Sequence, residues 1–150
     1  MSGNEVIFDS AAIMRLLPHR YPFLLIDKII EVGDDHAVAV KNVTVNEPYF
    51  QGHFPGQPIV PGVLLAETMV QTAAFIGRTP ESVAEEGGKQ RQFFLAAVNM
   101  RLRKPAVPGD QMVIRMAVQT QMGDLRKVRG EIKAGRDTLV TGDFNIGSRE

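Results

Sequence analysis

The first half of the chain contains two predominantly hydrophobic runs typical of β-strands, separated by polar residues. Residues 23–32, FLLIDKIIEV, are rich in branched and aromatic side chains, and residues 36–45, HAVAVKNVTV, alternate alanine with valine at their start. Residues 33–35, Gly-Asp-Asp, favour a turn between the two runs. The pattern therefore predicts a pair of strands, the second of them half-buried.

Two helices are predicted from the same pattern. Ser10 is suited to cap a short helix over residues 11–17, which Pro18 ends because proline cannot continue a helix. Residues 63–78, VLLAETMVQTAAFIGR, contain helix formers throughout and apolar side chains on nearly every face. A helix that is apolar all round is surrounded by protein, so we expect this second helix to be the buried centre of the fold.

The second half of the chain is predicted to consist mainly of strands. After the polar segment 78–92, which we expect to be a mobile excursion, strand-like runs follow as in an antiparallel meander: FFLAAV, QMVIRMAVQTQ, LRKVRGEIKAG and TLVTGDFNIG. A small helix, two strands, one long helix and three or four strands together predict an α+β fold. Five or six antiparallel strands wrapped around one central helix form the hot-dog arrangement, here as a single domain over residues 1–150.

The segment between the second predicted strand and the long helix breaks the alternation. Residues 45–62 contain four prolines and three glycines, which predict a stiff and irregular loop. A loop of this length is more often functional than a simple connection.

Composition and charge narrow the functional classes. The 150 residues suffice for one domain with a buried core, and 17 basic and 17 acidic side chains give a formal charge of zero. Binding to nucleic acid or to anionic membrane through bulk charge therefore has no support. The absence of cysteine excludes disulfides and thiolate chemistry, and the three histidines lack the spacing of metal ligands. The first ten residues do not resemble a secretory signal, and no apolar run approaches the roughly 20 residues of a membrane span, so we expect a soluble cytoplasmic protein.

Two ionisable residues are candidates for chemistry. His53 lies on the proline-rich loop, and Glu67 is the only charged residue between Val63 and Gly77. A carboxylate within an apolar helix costs free energy unless it has a partner or a functional role. In its protonated form it can deliver a proton, and a histidine can remove a different proton. The amide of Gly62, at the helix start, could hold a carbonyl oxygen as negative charge develops. A base, an acid and such a donor are what elimination of water beside a carbonyl requires.

Simpler interpretations apply to each of these residues. His53 could be a solvated or hydrogen-bonded loop residue, and Glu67 could pair with an arginine at a subunit interface. His19 and Arg20, between two prolines, are interpreted as structural, and His36 as a solvated turn residue.

Three blocks of the sequence resemble a known family of enzymes. LPHRYPFLLID (17–27), VNEPYFQGHFPGQPIVPGVLLAE (45–67) and KPAVPGDQM (104–112) closely resemble the (3R)-hydroxyacyl-[acyl carrier protein] dehydratases of bacterial type II fatty acid synthesis. The blocks keep the family's order, and the resemblance extends over essentially the whole chain.

The resemblance implies an activity, a site and an assembly. It implies that His53 and Glu67 form the catalytic pair, that the Gly62 amide acts as the oxyanion donor, and that no cofactor is needed. The substrate would be a 3-hydroxyacyl chain on acyl carrier protein, contacted also by Phe54 and Val63, and the product a trans-2-enoyl thioester. Members are hot-dog dimers assembled into hexamers, in which histidine and acid of one site come from different subunits.

The chain departs from the family's pattern at positions that bear on acyl-chain preference. Residues 96–99, AAVN, replace a Gly-Ile/Val-Asp-Lys-like run, Leu102 replaces a common phenylalanine, and Phe93 stands where some relatives carry a tyrosine that gates the acyl tunnel.

Two alternative functions remain open from the sequence, as does the carrier-binding surface. One is a hot-dog thioesterase, in which Glu67 would activate water, and the other is a non-catalytic acyl-thioester-binding regulator. Basic residues of the second half could form a solvated sheet edge or could meet the acidic carrier protein, and Arg101 and Lys104 are the residues we predict to do so.

Overall fold

In the computed structural model, which describes residues 5–149, one antiparallel sheet packs against a central helix. The helices are α1 (Ser10–Leu16), α2 (Gly62–Ala73) and α3 (Pro80–Glu85), with a 3-10 turn at Pro48–Gln51. The strands are β1 (Lys28–Val32), β2 (His36–Asn42), β3 (Gln92–Leu102), β4 (Gln111–Met122), β5 (Leu125–Ala134) and β6 (Asp137–Arg149). This architecture is the hot-dog arrangement of the α+β class that the sequence predicts.

The strands of the described sheet are ordered β1-β2-β4-β5-β6-β3, and all neighbours are antiparallel. The predicted meander is confirmed for β4, β5 and β6, whose tight turns use Gly123 and Gly135 at positive φ. It is wrong for β3, which pairs with β6 at the edge of the sheet and not with β4. The chain leaving β3 crosses the end of the sheet, where the Ala106 carbonyl accepts from the Val60 amide at 2.9 Å, and this crossing places β4 beside β2.

The core lies between α2 and the inward face of the sheet. From Leu65 to Ala73 the helix is buried at every residue except Glu67, which confirms α2 as the centre of the fold. On β5, Gly130 allows the helix to approach closely, because a Cβ there would overlap the Met116 sulfur and lie 2.8 Å from Met69 Cε. With 12 residues, α2 is shorter than the roughly 20 needed to cross a bilayer, and none of the helices in residues 5–149 qualifies as a membrane span.

Several element boundaries differ from the prediction at the start of the chain. The cap of α1 is Asp9 and not Ser10, since the Asp9 carboxylate accepts the Ala12 amide at 2.9 Å. The first strand begins only at Lys28, because the backbone before it is bonded to a helix side chain: Gln71 contacts the Phe23 carbonyl and the Leu25 amide.

Three further predictions need correction. The second strand, β2, is buried on both faces over most of its length and not half-buried, and it lies between β1 and β4. The α2 helix ends at Ala73 and not at residue 78, and a turn follows that includes Gly77 at φ 75°. The segment 78–92 is not simply a mobile excursion, because it contains α3, which Thr79 and Ser82 cap reciprocally and whose Val83 is buried.

Candidate active site

His53 lies on a loop that backbone hydrogen bonds fix on both sides of it. The His53 amide donates to the Tyr49 carbonyl at 3.1 Å, and the His53 carbonyl accepts from the Ile59 amide at 3.1 Å. The peptide bond between His53 and Phe54 is cis, and the two rings stack with centroids 4.0 Å apart. The histidine is therefore held in one place by its own loop, as the proline content predicts.

The ring of His53 is fixed in one tautomer by the same loop. Its Nδ1 lies 2.9 Å from the carbonyl oxygen of Ile59. Because a carbonyl oxygen can only accept, Nδ1 must carry the hydrogen, and in the neutral ring Nε2 then keeps its lone pair. The half-buried ring thus presents a nitrogen able to accept a proton.

The start of this loop is anchored to β2 by a buried ion pair. Lys41 Nζ lies 2.9 Å from Glu47 Oε2, and the two side chains are only 8% and 14% exposed. Burial, with a smaller contribution from the charge of Glu47, raises the pKa of Tyr49, so its phenol stays neutral. A buried pair of this kind is costly to break on one side, and it fixes the point from which the loop extends toward His53.

Glu67 is held by a residue one helical turn further along α2. Gln71 Nε2 donates to Glu67 Oε2 at 2.9 Å and also to the Phe23 carbonyl at 2.8 Å, while Gln71 Oε1 accepts from the Leu25 amide at 2.9 Å. These backbone partners fix which end of the Gln71 amide faces Glu67. The carboxylate itself is 22% exposed, so it remains open to a ligand.

His19 is a second neighbour of the Glu67 carboxylate. Its Nε2 lies 3.3 Å from Glu67 Oε2, its ring stacks on Phe23 at 6.0 Å, and its buried Nδ1 has no hydrogen-bond partner in residues 5–149. Within the described chain the carboxylate therefore meets a histidine and an amide, and its pairing with an arginine of a second subunit stays a prediction. Arg20 has the structural role predicted for it, since it donates to the carbonyls of Met14, Leu17 and His19.

Sequence reasoning missed the contribution of Gln71 and underestimated that of His19. Gln71 has a readable signal, because it is polar, lies four residues after Glu67 and interrupts an apolar helix. His19 has no such signal, since its contact with Glu67 depends on how the segment before β1 folds back over α2.

The remaining predicted site residues lie on different elements. Gly62 is the first residue of α2, so its amide has no acceptor within the helix. Val63 and Phe54 are exposed, at 77% and 49%, and Phe93 is partly buried on β3. Phe93 and His19 line a shallow cavity together with Pro18, Gln92, Phe94 and Arg149.

His36, predicted to be a solvated turn residue, is instead the first residue of β2 and is hydrogen-bonded on both ring nitrogens. Nδ1 lies 3.0 Å from Asp35 Oδ1 and Nε2 lies 2.7 Å from Glu31 Oε2. The contact with Asp35, followed by that with Glu31, raises the pKa of His36 against the opposing effect of burial. Within residues 5–149, no three His, Asp or Glu side chains are grouped as metal ligands would be.

Comparisons with known proteins agree on one family and one fold. A family model described as a FabA-like domain matches residues 17–143. A protein of Agrobacterium fabrum is 52% identical over 126 residues, covering 83% of this chain and 79% of its own, and one of Rhizobium leguminosarum bv. trifolii is 47% identical over 143 residues, covering 93% and 87%. Both are named 3-hydroxyacyl-[acyl-carrier-protein] dehydratase FabZ.

Solved structures extend the likeness of fold. The dehydratase heterocomplex ApeI:P from Xenorhabdus doucetiae matches with a TM-score of 0.76 at 23% identity, covering 92% of this chain and 91% of that one. A hypothetical thioesterase with coenzyme A from Streptococcus pneumoniae matches with a TM-score of 0.60 at 12% identity, covering 81% of this chain and 84% of that one. The fold is thus shared by proteins of both names, and the choice between them depends on the site.

Proposed function

The chain belongs to the family of FabA-like domains, and from this premise we propose that it removes water from 3-hydroxyacyl chains carried by acyl carrier protein. The product is a trans-2-enoyl thioester, as in type II fatty acid biosynthesis. The activity is that of a hydro-lyase, in line with the names of the relatives that match most of the chain. The observation that carries the assignment of roles is the hydrogen bond from His53 to Ile59.

The base of the reaction is His53. With the hydrogen on Nδ1 directed to the Ile59 carbonyl, Nε2 is free to take the C2 proton of the substrate. The resulting imidazolium keeps its bond to that carbonyl, whose dipole stabilises the new positive charge. As the C2–H bond breaks, its electrons form the C2–C3 double bond, and the C3–O bond breaks in turn.

The acid is Glu67, which gives its proton to the departing hydroxyl so that it leaves as water. Oε2 is engaged by Gln71 at 2.9 Å and lies near His19 at 3.3 Å, which leaves Oε1 to carry the proton toward the substrate. Gln71 acts as a positioning residue, because it orients the acid without touching the substrate. Transfer of the proton from His53 to Glu67 through water then restores both groups.

The thioester carbonyl binds at the start of α2. The Gly62 amide donates to its oxygen at the positive end of the helix dipole, where it stabilises the negative charge that develops as C2 loses its proton. Phe54, Val63 and Phe93 contact the acyl chain, and their exposed or partly exposed apolar surfaces suit that role. None of these steps needs a cofactor.

The working site is formed by two subunits, with His53 of one chain facing Glu67 of its partner. Support comes from β3, a long strand at the edge of the sheet that carries exposed apolar side chains: Phe94, Leu95, Val98 and Leu102. Such an edge is normally paired or covered, and a second copy of β3 would do so. We propose a homodimer on this basis and a hexamer of three dimers as its assembly, in the cytoplasm.

The carrier protein binds through basic residues near the end of β3. Arg101 is exposed on that strand, whereas the exposed Lys104 is bound to Asp137 at 2.6 Å. Because an ion pair lowers the net charge that Lys104 offers to a partner, Arg101 contributes more to the docking.

The test of this function is an assay of enoyl product with carrier-bound 3-hydroxyacyl substrate. Replacing His53 by alanine removes the base, and we expect turnover to fall about 10²- to 10⁴-fold. A His36→Ala variant is the matched control, since it removes a histidine from the β1–β2 turn, and it should keep wild-type turnover. Near-native turnover of His53→Ala would contradict the assignment. Release of free acid in place of enoyl thioester would favour hydrolysis, and tight binding without turnover would favour a regulator.

A further inference from the structure

A small cavity beyond the C-terminal end of α2 carries an unusual number of arginines. We call it the arginine cavity. It has a volume of about 30 Å³, and Arg78, Arg91 and Arg126 line it. Its other walls are mainly apolar: Ala73, Ala74, Ile76, Phe93, Val128 and Ile146. The enclosed space holds about two water molecules, and because the cavity is partly open, a larger group bound at the arginines extends toward the solvent.

Two of the arginines share a single carboxylate. Glu86 Oε2 lies 2.6 Å from Arg78 Nη2 and 3.2 Å from Arg91 Nη2. Arg78 is only 9% exposed, and its Nη2 is bound by the same carboxylate oxygen that contacts Arg91. One carboxylate cannot accept from all the N–H donors of two guanidinium groups, and a bound oxyanion would accept from those that remain.

The third arginine has an inward-facing position that its neighbours in sequence do not share. On β5, side chains alternate between the two faces, and Arg126 shares the face of Val128, Gly130 and Ile132, all three of which are buried against the core. Charged side chains that face inward often protect the edge of a sheet, but β5 lies in the interior between β4 and β6. Protection of an edge therefore does not explain Arg126.

Arg126 also lacks a compensating charge. Burial, followed by the positive charges of Arg91 and Arg78, lowers the pKa of Arg126, and no carboxylate among the described residues offsets these effects. Of the described residues that line the cavity, the only acid is the exposed Asp124. Glu86 contacts two of the arginines from outside this lining, so three guanidinium groups meet two carboxylates and positive charge is in excess around a partly enclosed space.

We propose that the arginine cavity binds a small oxyanion, a carboxylate or phosphate group, between Arg78, Arg91 and Arg126. Planar guanidinium groups bind either group through paired N–H donors, and the apolar wall suits an aliphatic stem attached to it. Phe93 forms part of this wall and also of the shallow cavity beside His19, so the anion lies one side chain away from the proposed dehydration site. The inference does not rest on the proposed dehydration, because it concerns separate residues and binding alone.

The test is a titration of the full chain with inorganic phosphate and, separately, with n-butyrate, in chloride buffer at constant ionic strength. Binding is followed through the arginine Nε–H signals in nuclear magnetic resonance spectra, and the signal of Arg126 is identified by its loss in Arg126→Gln. We expect that signal to shift saturably with at least one of the two anions. Saturation by phosphate alone would identify phosphates as the ligand, and saturation by butyrate alone would identify carboxylates with an aliphatic stem. Saturation by both anions in competition would identify any small oxyanion as the ligand.

Matched variants separate a specific site from general charge attraction. Followed through the Arg78 and Arg91 signals, Arg126→Gln should weaken binding by about tenfold or more, the size of one lost charge-assisted hydrogen bond. Lys127→Gln removes the same charge from the next residue on the opposite face of β5 and should change the affinity by less than about twofold. Arg91→Gln serves as a second cavity variant. No saturable shift with either anion, or equal weakening by Arg126→Gln and Lys127→Gln, would overturn the proposal. Binding is measured without turnover. A protein that binds the anion but has no dehydratase activity would therefore contradict the proposed function and not the anion site.

Discussion

Gln71 donates a hydrogen bond from Nε2 to Glu67 Oε2 at 2.9 Å, and the rest of its amide is fully used by the backbone of the segment before β1. The orientation of the proposed acid therefore depends on a segment more than 40 residues away in sequence, since Gln71 and Leu25 are 46 positions apart. Gln71 is 1% exposed, so water cannot take over these bonds when the side chain is changed.

We first predict the effect of replacing Gln71 by methionine. The Phe23 carbonyl and the Leu25 amide lose their partner, and stability should fall by about 1–3 kcal/mol. The kcat should fall about tenfold with little change in KM, because the substrate still binds while the acid, now free to rotate, is less well aligned with the departing hydroxyl.

The control for this variant is Thr72→Val, which also removes a buried polar group from α2 but does not touch Glu67. The Thr72 hydroxyl donates to the Thr68 carbonyl at 2.9 Å and makes no contact with Glu67 within residues 5–149. It should lower the melting temperature with kcat unchanged. If both variants reduced kcat equally, the effect of Gln71 would be structural and not one of positioning.

The second prediction concerns the acid itself. Glu67→Gln keeps the shape of the side chain but cannot deliver a proton, so dehydration should fall about 10²-fold or more while the fold is retained. Circular dichroism and turnover measured on the same sample provide the check. Glu81→Gln, an exposed carboxylate on α3, should leave turnover unchanged. Near-native activity of Glu67→Gln would mean that the carboxylate has a structural role.

The third prediction separates carrier binding from catalysis. Arg101→Glu should raise KM for carrier-bound substrate several-fold at low salt and should leave KM for the uncharged N-acetylcysteamine thioester unchanged, because only the carrier presents an acidic surface. Lys104→Glu should have a smaller effect, since Lys104 is already paired with Asp137. Added salt should reduce the difference between Arg101→Glu and wild type. An identical change with both substrates would remove Arg101 from the docking surface.

The fourth prediction is a pH dependence of stability at the β1–β2 turn. The pKa of His36 is raised by Asp35 and Glu31, and the pKa of each carboxyl is lowered chiefly by the hydrogen bond to His36. The histidine therefore contributes stability that is complete below its unfolded pKa of about 6.5 and is lost as the pH rises through the higher folded value. The carboxyls contribute stability above their unfolded values of about 4 that is lost as the pH falls through their lowered folded values.

The contribution of this cluster should thus be greatest between about pH 5 and 6. Melting temperatures of wild type and His36→Gln, measured from pH 4 to 9, provide the check, and the difference should shrink above about pH 8. A difference that did not vary with pH would show that packing of the ring, and not its charge, stabilises the turn.

The parts of the fold that the sequence predicts well are those set by local pattern. The α2 helix follows from its continuous apolar faces, and the β4–β5–β6 meander follows from alternation interrupted by Gly123 and Gly135. The stiffness of the loop around His53 follows from its prolines. In each case the evidence lies within one element and the turn that ends it.

The parts that sequence reasoning missed depend on contacts between distant segments. The pairing of β3 with β6 is decided by how the chain crosses the end of the sheet, which no periodicity records. The contact of His19 with Glu67 depends on how the segment before β1 folds back over α2, which no local pattern records either. The sequence predicts the basic residues of the second half as one group, but the alternation within β5 places Arg126 on the inward face, opposite Lys127 and Arg129.

The close approach of α2 to the sheet at Gly130 limits which amino-acid substitutions the core can accept. Met69, which fills the space left by the missing side chain, is two residues from Glu67 on the same helix. A bulkier residue at position 130 would displace the helix and with it the carboxylate, and displacements of about 1 Å are enough to reduce catalysis about 10²-fold. The α2 helix therefore carries both a residue that packs the core, Met69, and the proposed catalytic acid, Glu67. Substitutions that enlarge or relax the interior are constrained by activity before they are constrained by folding, so sequence drift in this core should be slower than stability alone would demand.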